Sequence, residues 1–128
     1  MGNPELERKE IRLRPIGTAH RTDEEDKMRI VIRPEYTEGL EGIEDLDFIY
    51  VLYWMDRLSE KDREILKVHP QGDTNKPLRG VFSLRSPMRP NPIGLTRVRL
   101  VKKEDNTLFV KGLDALDGSP IIDIKSGG

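Results

Sequence analysis

The sequence predicts an all-β protein, a single β-barrel of mainly antiparallel strands with one or two short helical turns. Three observations carry that expectation. Six or more short segments alternate or concentrate apolar and β-branched residues, turn residues separate them, and helical periodicity is scarce. A chain of 128 residues has the size of one ordinary domain, so residues 1–128 are expected to form a single unit.

The elements follow in order. Ile11 and Leu13 alternate with Arg12 and Arg14, a strand signal interrupted by Pro15 and Gly17. Met28, Ile30 and Ile32 alternate with Arg29, Val31 and Arg33 until Pro34 stops the run. Residues 38–46 contain two glycines, which limits them to one or two helical turns. Residues 48–55 are continuously apolar and rich in aromatic and β-branched side chains, the pattern of a strand buried on both faces. They include four of the seven aromatics (Phe48, Tyr50, Tyr53 and Trp54), most of them expected in the core with one or two free to reach a pocket mouth. Ser59, ahead of the charged run 60–64, is a candidate N-cap for a short helix. Residues 78–84 are a shorter strand candidate broken by Gly80. Thr96, Val98 and Leu100 share one face of a strand and Arg97 and Arg99 the other. Asp105 and Asn106 then turn the chain back into residues 108–113. Asp117-Gly118 marks a second turn, and the apolar run after Pro120 closes the order. The first few and last four residues are expected to fray.

Charge is sorted along this frame. The chain nets −1, yet residues 74–103 hold eight cations and no acid, while residues 21–64 hold fourteen acids against seven bases. Such sorting predicts a two-signed surface whose basic part faces an anionic partner, or two halves that neutralise each other across the fold. Without cysteine there is no disulfide and no thiolate metal site, and the two distant histidines make a catalytic zinc site unexpected. The longest apolar run, eight residues, is too short for a membrane helix, and the start has no apolar signal core. A soluble, cytoplasmic protein with no membrane partner and no metal is expected. Glycine-rich nucleotide loops and the Gly-x-Ser-x-Gly elbow are missing.

Inside the basic segment lies Arg85-Ser86-Pro87-Met88-Arg89-Pro90-Asn91-Pro92-Ile93-Gly94. Its three prolines fix their own φ and push Ser86, Arg89 and Asn91 towards extended backbone. The loop therefore loses little entropy on binding, and Arg85 and Arg89 can grip phosphate or carboxylate bidentately. Gly94 permits a bend or a close backbone approach. The competing reading is a rigid connector with solvated arginines. Asp117-Gly118 reads first as a turn, with a carboxylate lining a nucleoside pocket as the functional alternative. An isolated histidine such as His69 or His20 is more often structural than catalytic. From the residues alone, the reading ends at a rigid cationic site for a phosphate-bearing partner such as RNA.

The run Gly80-Val81-Phe82-Ser83-Leu84-Arg85-Ser86-Pro87-Met88-Arg89-Pro90-Asn91-Pro92-Ile93-Gly94-Leu95-Thr96 closely resembles the signature of the TrmO (YaeB, TsaA-like) family. Three stretches agree in order and spacing: Pro15-Ile16-Gly17, which resembles the family's first strand, Gly39-Leu40-Glu41-Gly42-Ile43 leading into the apolar strand, and residues 113–125. The resemblance implies a β-barrel methyltransferase that uses S-adenosyl-L-methionine to methylate N6 of threonylcarbamoyl-adenosine next to the anticodon of tRNA, acting as a homodimer. It implies cofactor contacts at Met55, Asp56, Arg85, Leu95, Leu116, Asp117, Gly118 and Ser119. Arg89 and Asn91 match motif residues that bind tRNA or shape the pocket, and Arg97 and Arg99 join them as tRNA-phosphate ligands, so the basic segment is expected to hold two sites side by side. The catalytic base is left open among Asp56, Asp114 and Asp117. Two departures stand out. The family's Pro-Arg-Gln stretch is replaced by His20-Arg21-Thr22-Asp23-Glu24-Glu25-Asp26, and its closing Asp-Ile-Lys-Pro-Tyr by Asp123-Ile124-Lys125-Ser126-Gly127-Gly128. They leave two alternatives: an RNA-binding module without catalysis, and a methylase for another anionic substrate.

Overall fold

The computed structural model describes residues 10–128. Six strands close a barrel in which every neighbouring pair is antiparallel: β1 (Gly17–Arg21), β2 (Lys27–Ile32), β7 (Thr107–Lys111), β6 (Ile93–Glu104), β3 (Phe48–Trp54) and β8 (Pro120–Ser126), which returns to β1. A two-stranded ribbon, β4 (Lys67–Val68) with β5 (Arg79–Gly80), stands outside it. Alternation decides which side chains enter the barrel. Met28, Ile30 and Ile32, then Ile49, Val51 and Tyr53, Val98 and Leu100, Leu108 and Val110, with Ala19 and Ile121, fill the interior.

The 12-residue β6 binds the barrel together, pairing with β3 from Ile93 to Arg99 and with β7 from Arg99 to Glu104. A bulge at Val101 bends it between the two partners. A second irregularity, at Ile122 of β8, adjusts its register against β3. The hairpin turn uses Asp105 at positive φ, in keeping with the Asp-Asn signal.

One end of the barrel is plugged by 3₁₀ turns, Pro34–Leu40 and Ile43–Asp45, which bury Leu40 and Ile43 against the core. The helical turns expected over residues 38–46 are there, but the first begins earlier, at Pro34. Ser59 caps a single helical turn, Glu60–Arg63, with its side chain accepting from the Asp62 N–H while Asp62 accepts from the Ser59 N–H.

Four expectations are corrected. Ile11 and Leu13 are exposed and lie in no strand; β1 begins at Gly17, where a side chain would overlap the Val31 carbonyl oxygen. The run 48–55 is buried on one face only, with Tyr50 exposed and Phe48, Leu52 and Trp54 half-covered outside. Residues 78–84 give just the two-residue β5 and a 3₁₀ turn, Val81–Ser83. The end does not fray: Ser126 pairs with Ile49, and the buried Gly127 donates to the Phe48 carbonyl. Any fraying of residues 1–9 lies outside the described residues.

Candidate functional site

At the barrel end opposite the 3₁₀ plug, β3 finishes, β6 and β8 begin, and β1 turns towards β2. Tyr53 sits there, 5 % exposed. Its ring crosses Gly94 on the neighbouring strand, where any side chain would collide with it. The phenol reaches Thr96, with 3.1 Å between the two hydroxyl oxygens. Burial, the largest influence, pushes the Tyr53 phenol up; the Thr96 bond opposes it, Asp114 adds to it and Arg85 works against it. The phenol is therefore a neutral polar group at the barrel mouth, within the electrostatic reach of Asp114 and Arg85. The sequence left open which of the four clustered aromatics reaches a pocket mouth. The signal that could have singled it out is Gly94, a glycine inside a strand.

The segment from Leu113 to Ser119 lies across the same end. Leu113 and Ala115 pack on the core, leaving Asp114 and Leu116 exposed. Ser119, 2 % exposed, closes a turn by accepting from the Leu116 N–H, while its own N–H donates to the Leu116 carbonyl. Gly118 takes φ +87° and donates to the Ala19 carbonyl, as Ala19 does to Ser119. The Asp117 carboxylate accepts from the Arg21 N–H at 2.9 Å and lies 3.9 Å from His20 Nδ1. The His20-Arg21 stretch thus meets Asp117 directly. Arg57, which sequence reading missed, donates to the Asp117 carbonyl at 3.1 Å and ties this segment to the end of β3.

The excursion between β3 and β6 covers the flank. The Met55 N–H donates to the Pro92 carbonyl (2.8 Å) and Arg63 Nε to the Pro90 carbonyl (2.7 Å), with the Arg63 guanidinium 5.5 Å from the Trp54 ring. Arg89 turns inward and donates to the carbonyls of Val81 (2.7 Å) and Leu84 (3.1 Å). It braces the loop, a structural task that the charge pattern left invisible. Arg85 is exposed, and no acceptor for it occurs among the described residues.

The fold brings together Met55, Asp56, Arg85, Leu116, Asp117, Gly118 and Ser119 at this end, with Asp114 among them. Leu95 is nearby on β6 but faces outward, opposite Leu52. Asn91 lines a different feature, an apolar outer groove of about 530 Å³ with Trp54, Ile93 and Ile122. Arg97 and Arg99 lie about 13 and 20 Å along β6 from its start at Ile93, towards the plugged end. There Arg97 stacks 3.9 Å over the Phe48 ring and donates to the Gly127 carbonyl at 2.7 Å. β6 thus carries these two arginines away from the loop end. A cavity of about 410 Å³ at the plugged end, lined by Tyr36, Leu40, Ile43 and Ile124, is also remote from these loops.

A model of the tRNA-methyltransferase O N-terminal domain family matches residues 12–126. A probable S-adenosyl-L-methionine-binding protein of Methanocaldococcus jannaschii is 46 % identical over 114 residues, 88 % of this chain and 89 % of that protein. An S-adenosyl-L-methionine-binding protein of Archaeoglobus fulgidus is 56 % identical over 96 residues, 75 % of this chain and 66 % of that protein. Among solved structures, a crystal structure of TrmO superposes with a TM-score of 0.73 at 28 % identity, and one of TrmO from Pseudomonas aeruginosa with 0.70 at 26 %. Both superpositions cover 94 % of this chain, which spans only 58 % and 57 % of those chains.

Proposed function

Because the chain belongs to the tRNA-methyltransferase O N-terminal domain family, we propose that it is an S-adenosylmethionine-dependent methyltransferase acting on N6 of threonylcarbamoyl-adenosine next to the anticodon of tRNA, as a homodimer. The observation that carries this reading is the gathering of Arg85, Asp114, Met55 and the 116–119 turn around the mouth closed by Tyr53, in a chain whose relatives bind S-adenosyl-L-methionine.

The donor set suits that cofactor. Arg85 has the fork geometry for a carboxylate, the exposed Asp56 suits an ammonium group, and Met55 and Leu116 offer apolar contact. When bound, the cofactor supplies an electrophilic methyl group on a sulfonium. The protein's task is then alignment of N6 with that methyl, so positioning supplies much of the acceleration. As the new N–C bond forms and the C–S bond breaks, N6 releases a proton. We assign its acceptance to the Asp114 carboxylate, since Asp117 is already held by the Arg21 N–H. Exposed Leu95 and Leu116 leave apolar surface beside the site for a second copy.

Calorimetry with S-adenosylmethionine tests the first half of the reading. Arg85→Ala should weaken binding by about 10- to 100-fold, the loss of a hydrogen-bonded charge pair, with an unchanged melting temperature. A lowered melting temperature with unchanged affinity would make Arg85 a connector residue. Mass spectrometry of tRNA nucleosides after incubation with cofactor tests the second half. A threonylcarbamoyl-adenosine peak left unmethylated by a cofactor-binding protein would point to another anionic substrate.

A further inference from the structure

Val81 and Phe82 are neighbours with opposite environments: Val81 is buried, and Phe82, 78 % exposed, is the most exposed aromatic among the described residues. The backbone beneath that ring is firmly held. The Val81 N–H donates to the Leu66 carbonyl (2.9 Å), the Leu84 N–H to the Val81 carbonyl (3.1 Å), and the Ser83 hydroxyl to the Gly80 carbonyl (2.7 Å). Arg89 grips both ends of the turn through the Val81 and Leu84 carbonyls. A mobile loop would let an apolar ring fold away from water. This one holds it out, so its ordering cost is already met before any ligand arrives.

The charges around it narrow the ligand. Lys67 lies opposite Gly80 in the ribbon and Arg79 opposite Val68, both exposed and neither with an acceptor among the described residues. Residues 74–103 contain no acid at all. An exposed aromatic on a rigid turn, flanked by free cations, combines the two features that bind single-stranded nucleic acid without pairing: a stacking platform and phosphate ligands. A purely apolar protein partner would not account for the cations.

We propose that Phe82 stacks on an unpaired base of the RNA substrate while Lys67 and Arg79 contact its phosphates, making the ribbon and its 3₁₀ turn an RNA-docking element outside the barrel. This rests on the reading that tRNA is the substrate. The test is binding of a labelled, full-length tRNA to the full chain, followed by fluorescence anisotropy across a salt series. Cofactor calorimetry and sedimentation mass are measured on the same variants.

Phe82→Ala and Phe82→Leu should each weaken RNA binding by about ten-fold, because leucine restores apolar bulk but no π-face, while Phe82→Trp should bind at least as well as the wild type. Arg79→Gln should lower the salt slope by about 0.7, one phosphate contact on a single strand. Cofactor affinity and mass should not change. Phe82→Ala binding RNA like the wild type, or Phe82→Leu doing so, overturns the proposal. So does a drop in cofactor affinity, which would assign the ring to the cofactor's adenine, or a drop in mass, which would assign it to an interface between copies. If the wild type has no affinity for tRNA, the substrate reading falls too; if it binds and Phe82→Ala binds equally, only the stacking role falls.

Discussion

Where β2 leaves the barrel, the opening is stoppered by apolar side chains from two 3₁₀ turns, Leu40 and Ile43, with Tyr36 and Leu46 packed beside them. Polar groups there are spent locally: Asn106 Nδ2 donates to the Ile32 carbonyl and to Thr37 Oγ1, and Arg97 to the Gly127 carbonyl. Where β3 gives way to the excursion before β6, Tyr53 is the lid, and Asp56, Arg85, Asp114 and Leu116 remain exposed around it. The two ends differ in what surrounds the opening: apolar side chains fill one, while Asp56, Arg85 and Asp114 stand exposed around the other, and that difference, more than charge count or cavity size, locates the site.

The largest effect is expected where the plug is cut. Leu40→Ala should cost about 2–5 kcal/mol of stability, the loss of a buried leucine plus the cavity it leaves. Cofactor affinity, measured by calorimetry on the folded fraction, should stay at the wild-type value. A loss of affinity matching the loss of stability would mean that the two ends are coupled through the barrel and that the contrast between them is false.

Next comes the packing beneath the lid. Gly94→Ala places a methyl group inside the space of the Tyr53 ring, an overpacking that typically costs about 1–3 kcal/mol. Because the ring that has to shift lines the mouth, cofactor affinity should fall along with stability in chemical denaturation. Stability lost without any change in affinity would separate Tyr53 from the site.

Local chemistry made much of this legible. The Asp-Asn turn between β6 and β7, the capping box at Ser59 and the positive φ of Gly118 each follow from residues within a few positions of one another. What escaped depended on distant partners. Ile11 and Leu13 have the alternation of a strand, but no neighbouring strand pairs with them, whereas the weakly patterned Gly17–Arg21 finds partners on both sides. Ser126 and Gly127 look like a loose tail until Phe48 and Ile49 are laid against them. The arginines teach the same lesson. Arg85, Arg89 and Arg97 are alike in sequence, yet two of them bond to main-chain carbonyls, 5 to 30 residues away. Only the folded chain reveals which cation is left for a ligand.

The smallest effect is expected at the Tyr53 hydroxyl itself. Tyr53→Phe keeps the ring over Gly94 and removes only the bond to Thr96, so it should cost about 0.5–1.5 kcal/mol at neutral pH. The pH dependence identifies the source. Burial raises the folded-state pKa above the ordinary value of 10.0, so above that pH the unfolded chain loses this proton while the folded chain keeps it. Stability from the phenol is therefore fully present below about pH 10 and declines as the pH rises through the folded pKa. The phenylalanine variant has no such decline, and the other tyrosines are common to both proteins. The stability difference between wild type and variant, followed by denaturant unfolding, should hence shrink on the alkaline side of pH 10. A difference that stays constant there would mean that the phenol is reached by water in the folded state, and the loop end would then be an open mouth instead of a lidded one.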